Sequence, residues 1–307
     1  MIRNTGSSYV VRLDSGEETS CRVKGNFRIR GIRTTNPVAV GDRVTVAGSA
    51  EDADYITAIS PRRNYIIRRA SNLSKESHIL AANLDCAALV ATLRDPQTPT
   101  TFIDRFLATA EAYSVPAMIV LNKTDLWDED DRMLGDLVAG LYRSIGYPVF
   151  EVSAQTGYGL GSLVEELRGK TTLFAGNSGV GKSSLINAIV PGTCLKTGKI
   201  SDMHRTGMHT TTFSEMISVP GGGEIIDIPG VKGFGTIDFK PEEVSHFFPE
   251  IFRIGCGCRY SDCKHTGEPG CAVIPAVEQS IISESRYASY LSILEELNDP
   301  TKYRKPF

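Results

Sequence analysis

Residues 176–183 read Gly-Asn-Ser-Gly-Val-Gly-Lys-Ser, between an apolar run, Thr172–Ala175, and a helical run opened by Ser184, Leu185, Ile186 and Asn187. A strand, a glycine-rich turn and a helix in that order constrain this chain more than any other feature. They call for an open, mainly parallel sheet whose ligand sits at the carboxyl ends of the strands. The turn is a phosphate loop. Gly176, Gly179 and Gly181 let the N–H groups of Asn177, Ser178 and Val180 turn inward toward phosphate oxygens. Lys182 brings charge to the β- and γ-phosphates, and the Ser183 hydroxyl, beside Ser184, offers a ligand for Mg2+.

The flanking sequence supplies the rest of such a sheet. Cys86–Ala91, Ala117–Leu121, Val149–Val152, Thr172–Ala175, Phe213–Val219 and Glu224–Ile228 read as strands. Phe102–Tyr113, Arg132–Ile145 and Gly161–Leu167 read as helices between them, an α/β pattern. Asn122-Lys123-Thr124-Asp125 ends one strand and is similar to the guanine-recognition motif of regulatory GTPases. An ionised Asp125 can accept from guanine N1–H and the exocyclic amine, a donor pair that adenine lacks. This disfavours an ATP-dependent enzyme. Asn122 can bond the imidazole-side edge of the base, and the Lys123 stem can cover its face. Ser153-Ala154 follows the next strand, and the Ala154 N–H is expected at guanine O6.

Asp227-Ile-Pro-Gly230 resembles the Asp-x-x-Gly element of the same proteins, with Asp227 reaching Mg2+ through water and the Gly230 N–H reaching the γ-phosphate. Before it lies His209-Thr210-Thr211-Thr212, from which Thr211 or Thr212 is expected to close over Mg2+ and the γ-phosphate. An ordinary GTPase runs phosphate loop, threonine switch, Asp-x-x-Gly, Asn-Lys-x-Asp, Ser-Ala. Here the last two come first, so the order is circularly permuted, which joined termini and a new opening elsewhere would produce. The second switch then leads straight into the C-terminal segment, and movement at the γ-phosphate is expected to reorient that segment. Val231 stands where many GTPases place a water-orienting Gln,. Hydrolysis is therefore expected to be slow or to use another group, for which His209 is the nearest candidate; a surface or capping role for His209 is the alternative.

Outside this core the chain changes character. Residues 1–69 carry a net charge of +5, against -5 for 70–235 and -3 for 236–307. Alternating apolar positions at Tyr9–Leu13, Cys21–Val23, Val44–Val46 and Tyr55–Ile59 suggest a small β-barrel of the oligonucleotide/oligosaccharide-binding (OB) type,. The arginines Arg62-Arg63 and Arg68-Arg69 lead out of it. A basic barrel is compatible with RNA contact, and equally with a solvated basic face. At the other end Cys258, Cys263, His265 and Cys271 crowd one loop. Three thiolates and an imidazole suit tetrahedral Zn2+ with no open position, hence a structural site. Cys256 is a spare thiol able to compete. A helix is expected from Ala276 to Leu297. The division read from these changes is 1–69, 70–235 and 236–307. No apolar run approaches the ~20 residues of a membrane span, and the first residues lack the apolar core of a signal peptide. A cytoplasmic, monomeric protein with no membrane partner is the expectation.

Barrel, permuted motifs and Cys/His loop together resemble the ribosome small-subunit-dependent GTPases of the RsgA/YjeQ type. The resemblance covers nearly the whole chain. It is carried by Asn83-Leu-Asp85, Asn122–Leu126, Gly176–Asn187, His209–Thr212, Cys258–Val273, Ser285-Arg-Tyr287 and Tyr290-Leu291. It implies a late small-subunit assembly factor that contacts rRNA and cycles between GTP and GDP, with hydrolysis stimulated by the subunit. Met208, where the family commonly has a basic residue, is a departure. A large-subunit assembly GTPase and a GTP-sensing RNA-binding scaffold stay open as alternatives.

Overall fold

The computed structural model describes residues 1–4, 8–23, 37–48, 54–69, 77–193, 195, 214–228 and 239–298. The first part is built from short strands: β1 (Arg3–Asn4), β2 (Tyr9–Arg12), β3 (Glu18–Val23), β4 (Val44–Ala47) and β5 (Asp54–Ile59). β2 pairs antiparallel with β3, β3 parallel with β5, and β5 antiparallel with β4. This is the mixed pairing of a small, partly open barrel. A hairpin absent from the sequence expectation follows, β6 (Tyr65–Arg69) with β7 (Ser77–Ala82). Arg68 and Arg69 thus lie on a strand, not on an exit segment.

The central part contains β8 (Cys86–Ala91), α1 (Thr100–Ala112), β9 (Ala117–Leu121), α2 (Glu129–Ile145), β10 (Val149–Glu151), α3 (Leu160–Leu167), β11 (Thr171–Ala175), α4 (Lys182–Ile189), β12 (Glu215–Ser218) and β13 (Glu224–Asp227). Its strand order is β10-β9-β8-β11-β13-β12, parallel except for the antiparallel pair β12 and β13. Every residue of β8 and β9 is buried, as befits parallel strands covered on both faces. Ala87, Leu89 and Ala91 share a core with Ile103, Phe106 and Leu107 of α1. Ala88 and Val90 face the opposite layer, with Val180, Leu185 and Ile186. The alternation within one strand therefore seats the phosphate loop. A reciprocal capping box starts α2: the Asp131 N–H donates to Asp128 Oδ1 at 2.9 Å, and the Asp128 N–H to Asp131 Oδ2 at 3.2 Å,. Gly146, at φ +122°, ends it.

The barrel is not a separate sheet. β1 pairs antiparallel with β12, and the Met216 N–H donates to Ile2 O at 2.8 Å. The result is one eleven-stranded sheet. Arg3–Glu215 (3.2 Å) and Arg12–Glu224 (2.8 Å) reinforce the seam. Arg62 clamps Asp42 through Nε at 2.7 Å and Nη2 at 2.6 Å, and Arg63 bonds Asp85 at 2.7 Å and Leu84 O at 2.8 Å. Arg62 stays within the barrel, where it also donates to Pro37 O at 2.8 Å, whereas Arg63 serves the joint between barrel and sheet. So does Asn83-Leu-Asp85: Asn83 accepts from the Arg63 N–H and donates to Gly41 O, while Asp85 accepts from the Thr171 N–H.

The C-terminal part holds α5 (Pro249–Gly255), α6 (Val273–Glu278) and α7 (Glu284–Asn298). The single helix expected over 276–297 is broken. Ser280 adopts a left-handed φ of +57°, and the N–H groups of Ile281 and Ile282 both return to Ala276 O. That geometry terminates a helix; it buries Ile282 and leaves Ile281 exposed. Although this part follows the second switch in sequence, its described packing is on α1, where Ala108 joins a cluster with Phe248, Ile251, Tyr290 and Ile293. Arg286 completes the joint. Fully buried, it forks onto Glu250 (Nε 2.7 Å, Nη2 3.1 Å), donates to Asp104 Oδ1 at 2.9 Å and lies 4.6 Å over the Phe248 ring. Tyr142 of α2 donates to the same Asp104 oxygen at 2.7 Å. No described helix is long and apolar enough to cross a membrane.

Removing one partner of a buried ion pair strands the other's charge. Arg286→Ala is expected to destabilise the fold by ~3–5 kcal/mol in denaturant titrations. Arg286→Met combined with Asp104→Leu and Glu250→Gln is expected to lose less than Arg286→Ala, because no buried charge is then left alone.

Candidate functional site

β9 ends at Leu121 and delivers Asn122 into the core, 1% exposed. Both ends of its carboxamide are used. Nδ2 donates to Val180 O of the phosphate loop at 2.9 Å, and Oδ1 accepts the Ala154 N–H at 3.2 Å. One side chain thus ties together the Asn-Lys-x-Asp, Ser-Ala and phosphate-loop segments. Gly181 makes the approach possible. It sits at φ +86°, and a Cβ there would meet Asn122 Nδ2 at 2.6 Å. A Cβ on Gly176 would likewise meet Val90 O at 2.5 Å.

Lys123 takes a left-handed φ of +66°, rare for a residue with a side chain,. Its stem runs past the loop, and its ammonium reaches Asp95 O. Asp125 is exposed and accepts from Ser153 Oγ at 2.5 Å. Ser153 is buried, and its oxygen accepts the N–H groups of Gln155 (3.2 Å) and Thr156 (3.0 Å). The hydroxyl therefore points its proton at Asp125 and sets the carboxylate's direction.

Lys182 begins α4 with its side chain 91% buried, and its ammonium contacts the Asp227 carboxylate and donates to Ile228 O at 2.6 Å. Pairing β11 with β13 in register Phe174↔Asp227 places that carboxylate beside the loop. Ser183 sits in the first turn of α4. Its hydroxyl and the Asp227 carboxylate are oxygen donors of the type Mg2+ takes. His209, Thr211, Thr212 and Gly230 lie outside the described residues.

A second constellation stands in the C-terminal part. The ligand atoms of Cys258, Cys263, His265 and Cys271 lie within 4.8 Å of one another. His265 Nδ1 is 3.5 Å from Cys258 Sγ and 3.6 Å from Cys271 Sγ. Burial holds the His265 imidazole below its usual pKa, hence neutral, the form that binds a metal,. Burial, then the neighbouring thiols, push Cys263 up to about 12; a bound cation reverses that by stabilising thiolate. Three sulfurs and one nitrogen converging at this spacing fit a tetrahedral metal. Cys256 stands apart, donating to Phe252 O at 3.4 Å.

Sequence reasoning missed the scaffold of this cluster. Glu268 accepts the N–H groups of Lys264 (3.0 Å) and Thr266 (2.7 Å). Burial opposes its charge, yet these N–H bonds hold the carboxyl down to about 2. Tyr287 and Tyr290 of α7 donate to His265 O (2.6 Å) and Lys264 O (2.7 Å). Their helical spacing marks them as core positions; nothing in it reveals hydroxyls aimed at a ligand loop.

Comparison with known proteins agrees with this geometry. The RsgA GTPase family matches residues 59–237, and the RsgA N-terminal domain matches residues 1–56. A relative from Bacteroides fragilis (strain YCH46), called small ribosomal subunit biogenesis GTPase RsgA, is 58% identical over 307 residues, covering 100% of this chain and 99% of its own. One of the same description from Porphyromonas gingivalis (strain W83) is 58% identical over 312 residues, with the same coverage. Among solved structures, YjeQ from Thermotoga maritima is 35% identical with a TM-score of 0.76, covering 97% of this chain and 96% of that one. YloQ, described as a circularly permuted GTPase, is 32% identical with a TM-score of 0.74, covering 100% and 95%.

Two outcomes test the geometry. Asn122→Ala leaves Val180 O and the Ala154 N–H without their partner and is expected to cost about 1–3 kcal/mol of stability. GTP affinity, read by fluorescent-nucleotide titration, is expected to fall with it. Cys263→Ser is expected to abolish tight metal retention, measured by elemental analysis, and to raise hydrogen exchange in α5 and α6 while leaving nucleotide affinity largely intact.

Proposed function

The chain belongs to the RsgA GTPase family, a family of GTP hydrolases, and on that premise we propose that it hydrolyses GTP while acting on the small ribosomal subunit as a late assembly factor. The observation that carries the reading is the Asn122 brace, which holds a base-selecting carboxylate, Asp125, in fixed relation to a complete phosphate loop. Full-length identity of 58% to relatives named for small-subunit biogenesis supports the partner.

In this reading Asp125, aimed by Ser153, accepts from guanine N1–H and N2–H. Lys123 covers the base, and Ala154 lies at its O6 side. The N–H groups of residues 176–181 and the ammonium of Lys182 bind the phosphates, with Ser184 following in the first turn of α4. Lys182 stabilises charge as water attacks the γ-phosphorus and the bond to the β–γ bridging oxygen breaks, giving GDP and phosphate. Ser183 and Thr211 or Thr212 would hold Mg2+, with Asp227 through water; the ion supplies further charge neutralisation. Gly230 offers its N–H to the γ-phosphate, and His209 orients the water that Val231 cannot. Cys258, Cys263, His265 and Cys271 would hold one Zn2+ per chain as a structural ion. The modules are 1–69, an OB-type barrel on rRNA, then 70–235 and 236–307. The protein works as a monomer in the cytoplasm.

Asp125→Asn is expected to weaken GTP binding by about 2 kcal/mol and to shift preference toward xanthine nucleotides in competition titrations. Turnover measured with small subunits, large subunits or neither is expected to rise only with the small one. Stimulation by the large subunit instead would overturn the partner and leave the chemistry standing. His209→Ala is expected to lower the stimulated turnover more than GTP affinity; equal stimulated rates would return His209 to a surface role.

A further inference from the structure

α2 carries an apolar stripe that the rest of the described residues leave uncovered. The helix buries Asp131, Gly135, Ala139 and Tyr142. On the opposite side Met133, Leu134 and Leu137 are 65%, 42% and 71% exposed. Leu141, half-buried, continues the row one helical turn further. Single exposed leucines are ordinary. Residues 133, 137 and 141 recur at i, i+4 and i+8, with 134 beside them, so they form a continuous ridge along the helix. Contiguous apolar ridges rimmed by polar groups mark interaction surfaces.

The rim decides the class of partner. Glu129, Asp130 and Asp136 are exposed on the same helix, and among the described residues no ion pair engages them. Of the two exposed cations, Arg143 is already paired with Glu151 at 3.2 Å, which leaves Arg132. An acidic border around leucines repels a phosphate backbone and attracts lysine and arginine. We infer that α2 is a docking surface for a basic amphipathic segment of a protein, lying with its apolar side on Met133, Leu134 and Leu137. The inference rests on the reading that the small ribosomal subunit is the partner, and it assigns this face to a protein of that particle rather than to its RNA. It also places the contact on the far side of the helix that anchors Arg286 through Tyr142 and Asp104, so docking here leaves the C-terminal joint undisturbed.

The test uses full-length protein, purified small subunits and a GTP analogue that resists hydrolysis. With a photoreactive amino acid in place of Leu137, the expected crosslink is to a ribosomal protein. A crosslink to rRNA or to a second copy of this chain, or none while the protein is bound, overturns the inference. Leu137→Glu is expected to weaken subunit binding about tenfold, as loss of an interface anchor does. Its binding of GTP and its turnover without subunits are expected to match the unaltered protein, because position 137 is on the surface. Glu129→Lys with Asp136→Lys is expected to weaken binding several-fold through repulsion of a basic partner; tighter binding would point to nucleic acid and sink the idea. If the unaltered protein does not bind small subunits, the functional reading fails and this inference with it. If it binds and the variants bind equally well, only the docking surface fails.

Discussion

The nucleotide site hangs on the carboxamide of Asn122. Its two hydrogen bonds join segments 58 and 32 residues apart, Val180 in the phosphate loop and Ala154 after β10. A buried amide that satisfies two backbone groups at once cannot be moved without stranding both. The brace also explains why Gly181 carries no side chain, since a Cβ would displace the amide nitrogen. It makes the circular permutation intelligible in physical terms. β9 and β11 flank β8 in the sheet, so the loops at their carboxyl ends meet whichever of them the chain visits first. Motif order along the chain is free; strand order across the sheet is not.

Two further joints set how the parts of the molecule bear on that site. The barrel is held through β1 to β12, the strand that follows the threonine switch in sequence and pairs with β13, the strand that ends at Asp227. The C-terminal part is held by Arg286 to α1 and α2, the helices on either side of β9 in sequence. Chain order leads from the second switch to the metal cluster, but the described packing joins that cluster's helices to the guanine side of the sheet. A buried ion network on a packed helix face is a stiff connection, because each charge depends on the geometry of the others. The two outer parts are therefore fastened to opposite sides of the nucleotide site.

Much of this was legible beforehand. The phosphate loop, Asn-Lys-x-Asp and the Cys/His loop each carry their chemistry in contiguous residues, and β8 and β9 announce themselves as unbroken apolar runs. What was misread depended on distance. The helix expected over 276–297 breaks at Ser280, whose left-handed conformation no periodicity reveals. No strand was expected over β6 and β7, whose apolar runs Tyr65–Ile67 and Ile79–Ala82 are short, and Arg62 and Arg63, read only as charge leading out of the barrel, close onto Asp42 and Asp85.

The amino-acid sequence by itself determined which donor groups the proposed sites offer: a carboxylate for the base, a lysine and glycines for phosphate, three thiols and an imidazole for a metal. Those groups act through atoms that a short motif places within one turn or loop. The tertiary structure alone decided who aims and braces them. Ser153 orients Asp125, Asn122 spans three loops, and Glu268, Tyr287 and Tyr290 fix the backbone of the metal-ligand loop. Glu268 works within its own loop, on Lys264 and Thr266. The other supports are hydrogen bonds between residues 22 to 58 apart in sequence, and their partners follow from sheet register and helix packing, which no local spacing encodes.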